Sequence, residues 1–167
     1  MPDSSPQVLY TPAQRARRDA TRWTLVQGVL APVQFLIFGI SLYLVLNSLQ
    51  TGEQTDWALA SVVIKTLALY AIMVTGAIWE KVVFGQYLFA PAFYWEDVVS
   101  MGVLALHTAY LWVWWQGVWR PTDQLLLALA AYGSYAINAA QYIRKLRMAR
   151  LQKTSPSLPT SGAQAST

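Results

Sequence analysis

Four charged side chains, Glu80, Lys81, Glu96 and Asp97, bracket the apolar and aromatic stretch WEKVVFGQYLFAPAFYWED, residues 79–97. They are four of only twenty formally charged side chains in the chain. Carboxylates at the mouth of apolar runs are costly to keep and usually have a task. Two carboxyls held close together cannot both ionise easily. One can then stay protonated as a general acid while another serves, ionised, as a general base. A structural reading competes on even terms: Glu80 pairs with Lys81, while Glu96 and Asp97 complement the positive N-terminal end of a helix. His107 follows Glu96 by eleven residues, and eleven steps of about 100° return to within about 20° of the same helix face. With Ser100, Val103 and Tyr110 near that face, the pattern predicts a polar stripe running inward from the carboxylates. A lone histidine in such a place is often simply hydrogen-bonded between helices. It can also ligate a metal or transfer a proton.

The elements that position these groups are read from hydropathy. Of 167 residues, 55% are hydrophobic and 12% charged, against about 25% charged in a soluble domain. So short a chain could not hide that apolar surface from water, and lipid is the solvent it fits. Cysteine is absent, which excludes disulfides, thiolate catalysis, iron–sulfur clusters and Cys-based zinc sites. The single histidine, His107, excludes a multi-His metal site and a haem held by two histidines. The net charge of +4 does not point to nucleic acid, because nine of the twelve Lys and Arg lie in the two terminal flanks.

Residues 1–10 and 153–167 are polar and rich in Ser and Pro, and are expected to be disordered. Between them, 11–152 reads as a membrane domain. Thr11-Pro12-Ala13-Gln14 is a helix start, with a Thr cap, Pro at the first position and Gln three residues on. The basic helix after it, with Arg15, Arg17, Arg18 and Arg22, suits anionic headgroups. Spans are predicted at about 23–49, 57–83, 94–117 and 124–143, each long enough to cross a hydrocarbon core of about 30 Å. In the first, Gln27, Gln34 and Ser41 recur every seven residues, and interhelical hydrogen bonding is favoured over substrate contact. In the second, Lys65 either snorkels to the interface or pairs inside the bundle. Phe84–Phe93 is too short to cross and too apolar for an ordinary loop. Gly85 and Pro91 interrupt it, so it reads as an interfacial or re-entrant turn with Tyr87, Phe89, Phe93, Tyr94 and Trp95 at headgroup level. In the fourth span Ser134, Asn138 and Gln141 share a face. The fold class is therefore an all-α integral membrane protein, four transmembrane helices in a bundle with that turn between helices 2 and 3. The positive-inside rule places both termini in the cytoplasm. Glu80, Glu96 and Asp97 then lie at similar depth near the cytoplasmic face.

Several long strings carry a resemblance: LYTPAQRARRDAT, WTLVQGVLAPVQF, KTLALYAIMVTGAIWEKVVFGQYLFAPAFYWEDVVS, LALHTAYL and NAAQYIRKLRMARLQ. Together they span about Leu9 to Gln152, and the sequence resembles the 2-vinyl bacteriochlorophyllide hydratase family of bacteriochlorophyll biosynthesis, also described as chlorophyllide a 3¹-hydratase. The resemblance implies a hydro-lyase that adds water across the C3-vinyl group of chlorophyllide a or bacteriochlorophyllide a. It implies a multi-pass protein of the bacterial inner (intracytoplasmic) membrane with a chlorophyllide substrate, a lipid bilayer and neighbouring pigment-biosynthesis enzymes as partners. It brings no established catalytic residues.

The residues supply candidates. Glu80 and Glu96 share the acid and base roles, with Asp97 tuning or replacing one of them. His107 ligates the substrate magnesium or orients water. Lys81 meets the propionate, the aromatic residues Trp79, Trp95 and Tyr110 stack on the ring, and Asn138 contacts it. No cofactor is expected, since the magnesium belongs to the substrate. Two other classes stay open at this point. One is a non-catalytic bacteriochlorin-binding or assembly protein that holds magnesium through His107. The other is a small proton-coupled transporter using Lys65, Glu80 and His107.

Overall fold

The computed structural model describes residues 9–154. Five helices follow in order: α1 (Pro12–Ala20), α2 (Arg22–Thr51), α3 (Thr55–Phe84), α4 (Tyr94–Gln116) and α5 (Pro121–Thr154). Among the described residues three helices, α2, α3 and α4, are long and apolar enough to cross a membrane. The segment read as a fourth span lies within α5, which is more polar along its length and ends in a basic run.

The ends of these helices follow from local chemistry. Thr11 and Gln14 form the reciprocal capping box, with the Thr11 hydroxyl accepting from the Gln14 amide and the Gln14 carboxamide accepting from the Thr11 amide. Helices α2, α3 and α4 all stop at glycines in the left-handed conformation, Gly52, Gly85 and Gly117. That backbone geometry is cheap only without a Cβ.

α2 packs chiefly on α3, and α4 on α5. The polar row of α2 turns inward. Gln27 donates to the Thr75 hydroxyl (2.7 Å), Gln34 to the Ala68 carbonyl (3.3 Å), and Ser41 bonds both Ser61 and Tyr132. Lys65 does not snorkel. It is fully buried with its ammonium 3.8 Å from the centre of the Tyr135 ring, a cation–π contact in place of water.

Helix α1 docks on the end of α3, where the Arg17 guanidinium donates to the Val83 carbonyl at 2.9 Å. Of the N-terminal segment expected to be disordered, Leu9 and Tyr10 are described, and Tyr10 is buried against Phe84 and Phe93. Residues 1–8 and 155–167 lie outside the described residues. Phe93, expected at headgroup level, is instead buried among Tyr10, Trp79, Phe84 and Tyr142. Apolar packing with four other aromatic rings outweighs any interfacial preference of a ring without a polar atom.

A hydrogen bond from a charged donor is worth about 1.5–3 kcal/mol. Arg17→Ala should therefore free α1 from the end of α3. Hydrogen exchange should rise at the α1 amides and stay slow along α2 and α3; unchanged protection in α1 would contradict the docking.

Candidate active site

The turn between α3 and α4 is built on two carboxyl groups. Asp97, in the first turn of α4, accepts from the Phe89 amide at 2.7 Å and from the Tyr142 hydroxyl at 3.2 Å. Glu80, in the last turn of α3, receives the Ala90 amide at 3.4 Å. Glu80 and Asp97 receive the amides of neighbouring residues, Ala90 and Phe89, which brings the two carboxyls to the same short stretch of backbone. Both are buried. Two buried carboxyls placed so near each other cannot both ionise easily. The chain enters the site with Phe89 at φ 59°. A left-handed residue with a side chain costs about 1–2 kcal/mol, and the bond from its own amide to Asp97 offsets that.

Glu96 goes elsewhere. Consecutive helical residues point about 100° apart, and Glu96 faces α5, where Lys145 donates to it at 2.6 Å. The same ammonium sits 4.9 Å from the centre of the Phe93 ring. The carboxyl that meets Glu80 is thus Asp97 rather than Glu96. The polar row continues inward from Asp97. Tyr142 donates to Asp97, and Asn138 donates to the Ser100 hydroxyl at 2.8 Å.

This row lies in the wall of a largely apolar cavity of about 1070 Å³ between α2, α3 and α5. Pockets for organic ligands run to about 1,000 Å³, so a large ring fits. Glu80, Asp97, Ser100, Asn138 and Tyr142 all line it, as do Gln27 and Gln34. Tyr10, Arg15, Arg18 and Asp19 from the N-terminal segment line it as well. Arg18 pairs with Asp19 and stands over the Tyr10 ring. Burial raises the Tyr10 phenol above its usual range, and the Arg18 charge opposes that shift.

The other expected site residues divide. Trp79 lines the cavity and donates its indole N–H to Thr24; Asn138 also lines it. Lys81 is exposed and donates to the Gly85 carbonyl. Trp95 is exposed, outside the cavity wall. Tyr110 is fully buried and donates to the Leu59 carbonyl. His107 is fully enclosed, its Nδ1 bonded to the Val103 carbonyl and its ring 5.9 Å from that of Tyr132. His107 is not among the residues that line the cavity, and its Nε2 is buried without a hydrogen-bond partner among the described residues. Among the described residues no three His, Asp or Glu gather to hold a metal ion.

Ser100 and Tyr142 complete the polar row without having been singled out as site residues in the sequence. Their signal was present. Buried positions on α4 run Asp97, Ser100, Val103, His107, Tyr110, Val113, and Tyr142 lies one helical turn beyond Asn138 on α5. Following Glu96 to His107 selected the edge of that stripe rather than its centre.

Residues 10–148 match the family of 2-vinyl bacteriochlorophyllide hydratases. The chain is 69% identical over 144 residues to the 2-vinyl bacteriochlorophyllide hydratase of Cereibacter sphaeroides, covering 86% of this chain and 89% of that protein. It is 63% identical over 160 residues to the protein of the same name from Rhodobacter capsulatus, covering 93% and 92% respectively. The chain belongs to the 2-vinyl bacteriochlorophyllide hydratase family. No solved structure matches it. In this hydratase-family chain the carboxyl pair, the apolar cavity and the turn that joins them form one continuous unit.

An amide at residue 97 can still accept from the turn, whereas a methyl leaves the Phe89 amide and the Tyr142 hydroxyl unpaired. Each unpaired buried group costs about 1–3 kcal/mol. Asp97→Ala should therefore melt at a clearly lower temperature than Asp97→Asn in the same detergent. Equal melting would show that the turn does not rest on this side chain.

Proposed function

We propose that this chain adds water across the C3-vinyl group of a chlorophyllide or bacteriochlorophyllide, giving the 3-(1-hydroxyethyl) product, with Glu80 and Asp97 as acid and base. The observation that carries this reading is a carboxyl pair able to hold one proton, in the wall of an apolar cavity of macrocycle size. Hydration of a vinyl group needs one acid and one base. The protonated member of the pair delivers its proton to the terminal vinyl carbon, and the π electrons form the new C–H bond. Positive charge at the inner carbon is spread over the conjugated ring. Water forms the C–O bond there and gives up a proton to the carboxylate, which restores the pair. One water is consumed and no oxidation state changes at the protein, so the step calls for no redox cofactor. The magnesium is part of the substrate.

The aromatic side chains near the pair, Trp79 foremost, offer flat surfaces to the macrocycle. Arg15 and Arg18 in the cavity wall suit the propionate better than Lys81, which lies outside it. α5 completes a four-span bundle in the inner membrane with both termini cytoplasmic and the turn at 85–93 in the interface, because the basic residues flank the bundle at both ends. Neighbouring pigment-biosynthesis enzymes are then natural sources of the substrate. A protein that only stores pigment through His107 is not favoured, because the imidazole is enclosed.

Loss of a general acid or base lowers a rate by about 10²–10⁴. In membranes supplied with a 3-vinyl bacteriochlorophyllide, Glu80→Gln and Asp97→Asn should each fall by about 100-fold or more, while Glu96→Gln keeps most of the activity. The readout is the red absorption band, which moves to shorter wavelength as the vinyl group leaves conjugation. Full activity in both cavity variants would remove the pair from the mechanism. A second outcome concerns the cationic wall: Arg15→Ala should raise KM several-fold for the free acid and leave it unchanged for the methyl ester. Equal KM of the unaltered protein for acid and ester would contradict that assignment.

A further inference from the structure

The polar row does not end at the carboxyl pair. It runs from Glu80 and Asp97 through Tyr142, which donates to Asp97, to Ser100 and Asn138, which are bonded to each other and line the same cavity wall. At its inner end, Asn138 spends its N–H on Ser100, while its carbonyl oxygen is buried and accepts from no described residue. That oxygen belongs to a side chain in the cavity wall. A buried amide oxygen without a donor costs about 1–3 kcal/mol, so its retention beside a reacting pair calls for an incoming donor. Within the hydration chemistry the molecule with O–H groups to donate is the water that attacks the vinyl group.

We propose that Asn138 is the water-positioning residue: its Oδ1 and the ionised member of the carboxyl pair hold the attacking water between them. The inference rests on the hydratase reading and adds to it a residue and a stereochemical consequence. Ser100, to which Asn138 is bonded, lies one helical turn from Asp97 on α4, and Asn138, Asp97 and Glu80 all line the same cavity wall. With both O–H groups directed to Asn138 and to the carboxylate, a lone pair of the water is left for the inner vinyl carbon. As the C–O bond forms, the proton pointing at the carboxylate is transferred to it and the one pointing at Asn138 remains as the product hydroxyl. Water fixed on one wall attacks one face of the vinyl group. The new stereocentre is then formed with a preference.

The test compares three proteins in membranes given the same 3-vinyl substrate: unaltered, Asn138→Leu and Asn138→Asp. Rates and the ratio of the two 1-hydroxyethyl epimers are read by chromatography, and retained binding by pigment absorbance. The unaltered protein should favour one epimer. Asn138→Leu should bind pigment with KM within about threefold, lose about tenfold or more in kcat, and give epimers close to equal amounts. Asn138→Asp keeps an acceptor oxygen at the same place and should keep the epimer preference. Unaltered epimer ratio and rate in Asn138→Leu would overturn the proposal. So would an equal mixture from the unaltered protein, or the same loss of preference in Asn138→Asp as in Asn138→Leu, which would assign Asn138 to helix packing. Absence of any hydroxyethyl product from the unaltered protein would overturn the hydratase reading itself, a result distinct from all of these.

Discussion

Two buried carboxyl groups and the backbone amides they receive form the constraint on which the rest of this molecule depends. Asp97 takes the Phe89 amide and Glu80 the Ala90 amide, so the turn between α3 and α4 is closed by the two side chains proposed as acid and base. Ionised carboxylates in an apolar bundle are expensive, and the protein offsets the cost with amide donors and the Tyr142 hydroxyl. The same contacts hold Phe89 in its left-handed conformation. Position and protonation of the pair are thereby tied to the course of the backbone.

Around that centre, charge and aromatic surface are sorted by function. Lys145 pairs with Glu96 beside the Phe93 ring and so offsets the charge of a third carboxylate near the pair. A further unpaired negative charge beside Glu80 and Asp97 would make it harder for either to ionise. Tyr10 and Phe84, stacked at 5.8 Å, close the end of the bundle together with Trp79 and Phe93. Deeper in the bundle, Lys65 and His107 are sealed among Tyr135, Tyr132 and the helix backbones. They belong to the packing between helices rather than to the cavity.

Much of the fold was legible because it follows from short-range physics. The helix start at Pro12, the apolar lengths of α2, α3 and α4, the break at Gly85 and the inward row Gln27, Gln34, Ser41 are each set by a few neighbouring residues. α5 was legible as a helix, and its fuller length, Pro121–Thr154, follows from a basic run that continues the helix. The site was legible in its components but not in their pairing. Whether Glu80 meets Glu96 or Asp97 is decided by a rotation of about 100° about α4, which depends on how α4 packs against α5. No local pattern records that angle. Burying Phe93 and Tyr10 together likewise needs α1 folded onto α3, a contact between segments some seventy residues apart in the chain. Asn138 was marked by its face on α5, yet its place at the end of the polar row depends on Ser100 across the interface.

The central claim is that the reacting vinyl group lies against Glu80 and Asp97. An experimental structure of the protein with a 3-vinyl bacteriochlorophyllide bound tests it most directly. Reacting atoms in a productive complex stand about 3–3.5 Å apart. We expect the terminal vinyl carbon at that distance from a carboxyl oxygen of the pair, with the propionate toward Arg15. A macrocycle held by magnesium on His107, or a vinyl group directed at Glu96, would contradict it.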